Sequence, residues 1–73
     1  MLKVENLKAL RGLIQSYFFD ETMQNMLVFW PEIQVVSCRR TGEIDFKNIG
    51  KASSEAEALK MFVDWINQVE IAA

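Results

Sequence analysis

The sequence contains no histidine and a single cysteine, Cys38, among its 73 residues. Histidine is the usual general base of nucleophilic triads and the commonest metal ligand, so its absence disfavours most hydrolase mechanisms. One cysteine provides neither an intrachain disulfide nor the paired thiolates of a zinc or iron–sulfur site. We therefore expect no enzymatic activity, no cofactor, no metal and no small-molecule substrate, and we interpret Cys38 as a packed residue in a reducing compartment.

The sequence also lacks a run of about 20 apolar residues that could span a membrane. Glu5, Lys8 and Arg11 interrupt the apolar residues near the start, and they interrupt a signal-peptide core in the same way. These absences predict a cytoplasmic protein. With one proline and three glycines there is no linker-like stretch, so we expect one small domain over residues 1–73.

The composition that is present, 51% hydrophobic and 25% charged, is typical of a packed globular domain. The formal net charge of −2 does not favour a general nucleic-acid binder. A chain this short buries only about 60% of the surface that its unfolded form exposes. Its stability would therefore gain from a second copy or a protein partner.

Two segments have the 3.6-residue apolar periodicity of amphipathic helices. The first is predicted from Leu2 to Phe18, on the spacing of Leu7, Leu10, Leu13, Ile14, Tyr17 and Phe18. The second is predicted from Ser54 to Ile71, because Ser54 and Glu57 form a capping box before an apolar stripe of Leu59, Phe62, Val63, Ile66 and Val69.

Two β-rich runs, residues 33–38 and 43–48, lie between these helices and are joined by Arg39-Arg40-Thr41-Gly42. They predict a hairpin in which Gly42 supplies the positive φ of the loop. In the second run Ile44 and Phe46 alternate with charged residues, which predicts that these two side chains enter the core.

Residues 20–30 fit two structures. Met23, Met26, Leu27 and Trp30 have helical spacing with Asp20 as N-cap, whereas Leu27 to Trp30 before Pro31 is typical of a strand. We favour the strand, since a two-stranded hairpin alone is marginal. The predicted fold is α+β, in the order α-β-β-β-α, with a three-stranded antiparallel meander and both helices on one face; the alternative is α-α-β-β-α.

If residues 26–30 form a strand, Met26, Val28 and Trp30 share one face of the sheet. With the helices on the other face, these three residues would form an apolar patch of the kind that marks interfaces. The leading hypothesis is a small non-catalytic protein–protein interaction or regulatory module. We expect it to self-associate as a homodimer through this open face of the sheet, or to bind another protein there.

The second hypothesis depends on a local group of cations in and after the hairpin loop, namely Arg39, Arg40, Lys47 and Lys51. Arginine binds phosphates and carboxylates through bidentate hydrogen bonds. This group predicts an alternative function, the binding of a nucleic acid or an acidic ligand through a basic hairpin patch.

The segment from Gly50 to Ala58 resembles the entry to the last helix of the double-stranded RNA-binding domain, whose α-β-β-β-α order is also the one predicted here. The resemblance covers about nine residues of motif. It implies contacts with the RNA minor groove and phosphates through lysines at the start of that helix. In this sequence those positions hold Ser54 and Glu55, and Glu57 follows, so acids replace the phosphate-binding lysines.

Overall fold

The structure is a computed structural model that describes residues 2–22 and 24–72. In these residues the chain forms five antiparallel strands and one C-terminal helix. Met23, which supported the helical alternative, lies outside the described residues. The elements are a 3₁₀ turn (Val4–Asn6), β1 (Lys8–Arg11), β2 (Ser16–Phe19), β3 (Met26–Trp30), β4 (Val35–Arg39), β5 (Lys47–Lys51) and α1 (Glu55–Ala72). The sheet order β1-β2-β3-β4-β5 follows the chain, and the fold is α+β.

The predicted helix from Leu2 to Phe18 is wrong, because this segment forms the 3₁₀ turn and the β1–β2 hairpin. The chain reverses at Gly12, whose N–H donates to the Gln15 carbonyl at 2.9 Å. The aromatic residues after this turn favour a strand. Phe18 then enters the core beside α1, whereas a helix would have needed to bury Leu13, which is fully exposed.

The strand predicted in residues 20–30 is confirmed as β3, and the α-α-β-β-α alternative is wrong. The predicted three-stranded sheet with two covering helices is also wrong, since β1 and β2 extend the sheet to five strands and one helix covers it. The order of elements therefore also differs from that of the double-stranded RNA-binding domain.

The predicted β4–β5 hairpin exists, but its strands begin later than residues 33 and 43. Gln34 has a φ of 58° and keeps Ile33 in the preceding turn, while Gly42 adopts the predicted positive φ, at 85°. The expectation that Ile44 and Phe46 enter the core is wrong. Both belong to the loop before β5, and Ile44 is 88% exposed, because pairing with β4 starts only at Lys47.

The C-terminal helix is confirmed, and it begins where the predicted cap lies. The Glu57 N–H donates to Ser54 Oγ at 3.2 Å, which satisfies one of the helix's unpaired N–H groups. Ala58, Phe62 and Ile66 share one side of α1 and are buried in the same cluster as strand residues Phe18, Leu27, Phe29, Val36 and Cys38. This cluster is the core, and it lies on one face of the sheet.

The start of the chain is held against the end of α1. The Leu2 N–H donates to Asn67 Oδ1 at 3.1 Å, and Asn67 Nδ2 donates to the Leu2 carbonyl at 3.0 Å. Leu2 and Leu7 pack against the core cluster. The segment before β1 therefore closes one side of the core instead of continuing as a helix.

The buried carboxylate of Asp20 organises the turn between β2 and β3. Oδ1 accepts from the Thr22 N–H and hydroxyl and from the Gln24 N–H, and Oδ2 accepts from the Asn25 N–H and side-chain amide, at distances of 2.9–3.2 Å. Burial alone would raise the pKa of Asp20, but these backbone and side-chain donors lower it below its ordinary value. The turn thus depends on an ionised aspartate.

We predict that Asp20→Asn lowers the free energy of unfolding by about 1–3 kcal/mol at pH 7, since a charged acceptor of several hydrogen bonds is lost. A lowered pKa stabilises the fold above the ordinary value of 3.8, and this contribution is lost as the pH falls through the folded-state pKa. The difference between the two proteins should therefore shrink on acidification below that value. Urea unfolding from pH 7 to pH 3 measures it. The exposed Asp45→Asn is the control, and a difference that does not change with pH would contradict the prediction.

Candidate interaction surface

The strand register separates the side chains of the sheet into two faces, because directly opposed residues of neighbouring strands point the same way. Leu27 and Phe29 lie in the core under α1, so Met26, Val28 and Trp30 point to the opposite side. Following the register from these three gives the face without the helix, which we call the open face: Lys8, Leu10, Tyr17, Phe19, Met26, Val28, Trp30, Val35, Ser37, Arg39, Asn48 and Lys51.

The centre of the open face is apolar and closely packed. Val28 is only 2% exposed although it lies outside the core cluster, between Tyr17 and Ser37 of the neighbouring strands. The predicted interface residues Met26 and Trp30 lie beside it and are half-buried. All three predicted residues are therefore on one surface, with Val28 covered by its neighbours.

Three half-buried aromatic side chains cross the open face: Phe19, Tyr17 and Trp30. Tyr17 and Phe19 are two residues apart on β2, and Trp30 lies diagonally from Tyr17, beyond its direct partner Val28. The Tyr17 hydroxyl accepts a hydrogen bond from Gln15 Nε2 at 3.2 Å. Aromatic residues of this kind combine a large apolar area with few rotatable bonds, which favours them in protein interfaces.

The charged residues of the open face have one sign. Lys8 and Lys51 are exposed at its two edges, and Arg39 is half-buried on β4. None of the twelve strand residues that define this face is acidic. The surface thus combines an apolar centre with a cationic border, although the whole chain has a net charge of −2.

Sequence reasoning missed Lys8, Leu10 and Tyr17 as members of this surface because it assigned them to a helix, and it placed Phe19 directly after that helix. The run Tyr17-Phe18-Phe19 was the available signal, since consecutive aromatic residues favour strands. A strand there would have placed Tyr17 and Phe19 on one face and Phe18 on the other.

The four predicted anion-binding cations do not form one surface. Arg39 lies on the open face, where its guanidinium donates to the Glu43 carbonyl at 3.1 Å and lies 5.7 Å from the centre of the Phe46 ring. Lys47 forms an ion pair of 2.9 Å with Glu43 and stands opposite Cys38, a residue of the core side. Lys51 is exposed at the other end of β5.

Arg40 is directed to the helix side. Its guanidinium carbon lies 3.5 Å from the centre of the Trp65 ring, and Nη2 donates to the Trp65 carbonyl at 3.2 Å. The side chain therefore joins the β4–β5 loop to the second half of α1 by a cation–π contact and a hydrogen bond. An arginine held in this way serves the fold, and it points away from Arg39.

Cys38 is buried in the core. Burial raises the pKa of the Cys38 thiol to about 12, and the nearby charge of Arg40 offsets only part of that effect. The thiolate is the nucleophilic form, so this environment is typical of a structural cysteine.

Within residues 2–22 and 24–72, no group of three or more Cys, Asp or Glu side chains has a geometry that could hold a metal ion. Over the same part of the chain, no helix combines the length and apolar character needed to cross a membrane.

The chain matches no protein-family model, no curated protein and no solved structure.

We predict that Arg40→Ala lowers the free energy of unfolding by about 1–2 kcal/mol, because it removes a close cation–π contact and the packing of the arginine stem. Lys47→Ala is the matched control, since it removes an exposed ion pair between β5 and the same loop and should change the free energy of unfolding far less. Urea unfolding followed by tryptophan fluorescence compares them. Equal effects of the two substitutions would contradict the role given to Arg40.

We also predict that Cys38 reacts slowly with the thiol reagent DTNB in the folded protein at pH 8, since the thiol is buried and its pKa is about 12. One equivalent should react rapidly after unfolding in guanidinium chloride. Absorbance of the released thiolate measures both rates, and rapid reaction of the folded protein would refute the assignment of Cys38 as a packed residue.

Proposed function

We propose that this chain is a small non-catalytic protein–protein interaction module and that its open face binds a partner protein with an acidic and apolar surface. The observation that carries the proposal is the composition of that face, an apolar and aromatic centre bordered by cations without an acidic strand residue. Exposed patches of this type mark protein interfaces. The absence of histidine and the high pKa of Cys38 support a non-catalytic role.

The charge of this surface favours another protein over a second copy as its partner. Two identical open faces would offer each other only cationic charged residues in their strands, so neither copy supplies an acid to complement Lys8, Arg39 or Lys51. Like charges that meet in an interface disfavour the complex, whereas an acidic partner complements them. We therefore assign the open face to a different protein.

Charge and surface chemistry also favour a protein over a nucleic acid. Affinity for nucleic acid comes mainly from several lysine or arginine contacts with phosphates. The open face has three cations among its strand residues, fewer than the number of phosphate contacts on which such affinity depends. The accessible side chains of the face also include the aliphatic Leu10 and Val35, which suit an apolar protein surface.

The proposal is tested by selecting peptides that bind the immobilised protein from a displayed library of random 16-residue sequences. Enriched peptides should combine acidic and apolar residues. Their affinity should fall at least tenfold for the double variant Trp30→Ser, Lys51→Glu, which changes two residues of one cross-strand row of the open face. Lys60→Glu, an exposed charge reversal on α1, is the matched control and should bind like the parent.

Circular dichroism establishes that each variant is folded. Enriched peptides that bind the double variant as well as the parent would overturn the proposal, as would the absence of any enrichment. A fluorescent oligothymidylate provides the second arm. If the parent binds it, and if this binding weakens steeply with salt and is lost in the double variant, the open face is a single-stranded nucleic-acid site instead.

A further inference from the structure

The outer edge of β1 is an unpaired strand edge with exposed side chains. Among the residues that the structure describes, β1 is the first strand of the sheet and pairs only with β2, and all four of its residues are exposed. Its outward backbone N–H and C=O groups can therefore pair with another strand.

Exposed apolar side chains are concentrated along the same edge. Among the described residues, seven large hydrophobic side chains are exposed, and four of them belong to β1 or to the chain on either side of it: Val4, Leu10, Leu13 and Ile14. Leu10 is 65% exposed in the strand itself, and Leu13 is fully exposed at the hairpin tip. The edge thus offers apolar area as well as backbone hydrogen-bonding groups.

The opposite edge of the sheet has the features that prevent strand pairing. The β4–β5 ladder contains a bulge at Val36/Ser37, Gly50 of β5 has a φ of 145°, and exposed lysines occupy both ends of that strand. Bulges and edge lysines are established means of blocking edge-to-edge association. β1 contains no bulge and no residue with a positive φ. Its end residues are the exposed Lys8 and Arg11, and Arg11 is paired with Glu55 of α1 at 2.6 Å on the helix side.

We propose that two copies of this chain pair through β1, antiparallel and about a twofold axis at Leu10, to form one ten-stranded sheet. The self-association predicted from the sequence then uses the edge of the sheet, and the open face remains available for its own partner. A twofold contact requires a surface that complements itself, and a single strand paired with its own copy satisfies this condition.

The register follows from face and charge. Directly opposed residues share a face, so the residue at the axis must lie opposite its own copy. An axis midway between two consecutive residues would oppose side chains of different faces. With the axis at Leu10, the two Leu10 side chains meet, Ala9 lies opposite Arg11, and Lys8 lies opposite Gly12. No like charges face each other. With the axis at Ala9, each Leu10 would instead lie opposite Lys8.

The exposed Leu13 at the hairpin tip follows the reversal at Gly12, so the new ladder ends before it. In the antiparallel pair this tip lies near the segment that precedes β1 in the second copy. The twofold axis is perpendicular to the sheet, so both open faces lie on one side of the dimer and both helices on the other. The dimer then has two open faces side by side on one continuous sheet.

Disulfide trapping in a Cys38→Ala background tests the register. Directly opposed residues have Cβ atoms about 4.5–5.5 Å apart, close to disulfide geometry, whereas residues offset by two positions are about 7–8 Å apart. Leu10→Cys should therefore cross-link at least tenfold faster under copper–phenanthroline than Ala9→Cys, which is exposed on the same strand but offset in this register.

Light scattering coupled to size exclusion gives the second measurement. The parent should have twice the monomer mass of 8.4 kDa at micromolar concentration or above, and Leu10→Arg should shift it to monomer. The open-face variant Trp30→Ser, Lys51→Glu should remain a dimer, which separates this inference from the proposed function. A monomer at every concentration, equal cross-linking rates, or a dimer lost only in the open-face variant would overturn the pairing through β1.

Discussion

The packing of α1 across the middle of the sheet is the contact on which the rest of the structure depends. Phe62 is completely buried in one cluster with Leu27 of β3 and Val36 of β4, and the helix has one such apolar side. A single helix covers one face of a five-stranded sheet. The apolar residues of the second face must then be covered by their own neighbours, as Val28 is, or by another molecule.

The same asymmetry separates the charges. Acidic residues are concentrated on the helix side and in the loops, where Glu55 pairs with Arg11 and Glu43 pairs with Lys47. The charged strand residues of the open face are all cations. A molecule with a small net charge can therefore present a face whose charged strand residues all have one sign, and net charge by itself describes that face poorly.

The parts of the fold that could be predicted from sequence are those with local signals. Ser54 caps the helix by a bond within three residues, and Pro31 favours the strand before it, so α1 and β3 were accessible. The helix predicted over residues 2–18 was wrong because hairpin residues happened to repeat at helical spacing. Met26, Val28 and Trp30 could be assigned to one face from alternation within a strand, but their neighbours Tyr17 and Lys8 depend on pairing between strands, which no local pattern encodes.

The order of the strands has a kinetic consequence. Each strand pairs with the next one along the chain, so every ladder is a hairpin closed by a short connection, and the entropy cost of closing each loop is small. The helix is different, because its last turns reach back to Leu2 across 65 residues. The contact order is therefore low within the sheet and high for the helix. This topology favours fast formation of the hairpins, followed by docking of the helix as the step that makes folding cooperative.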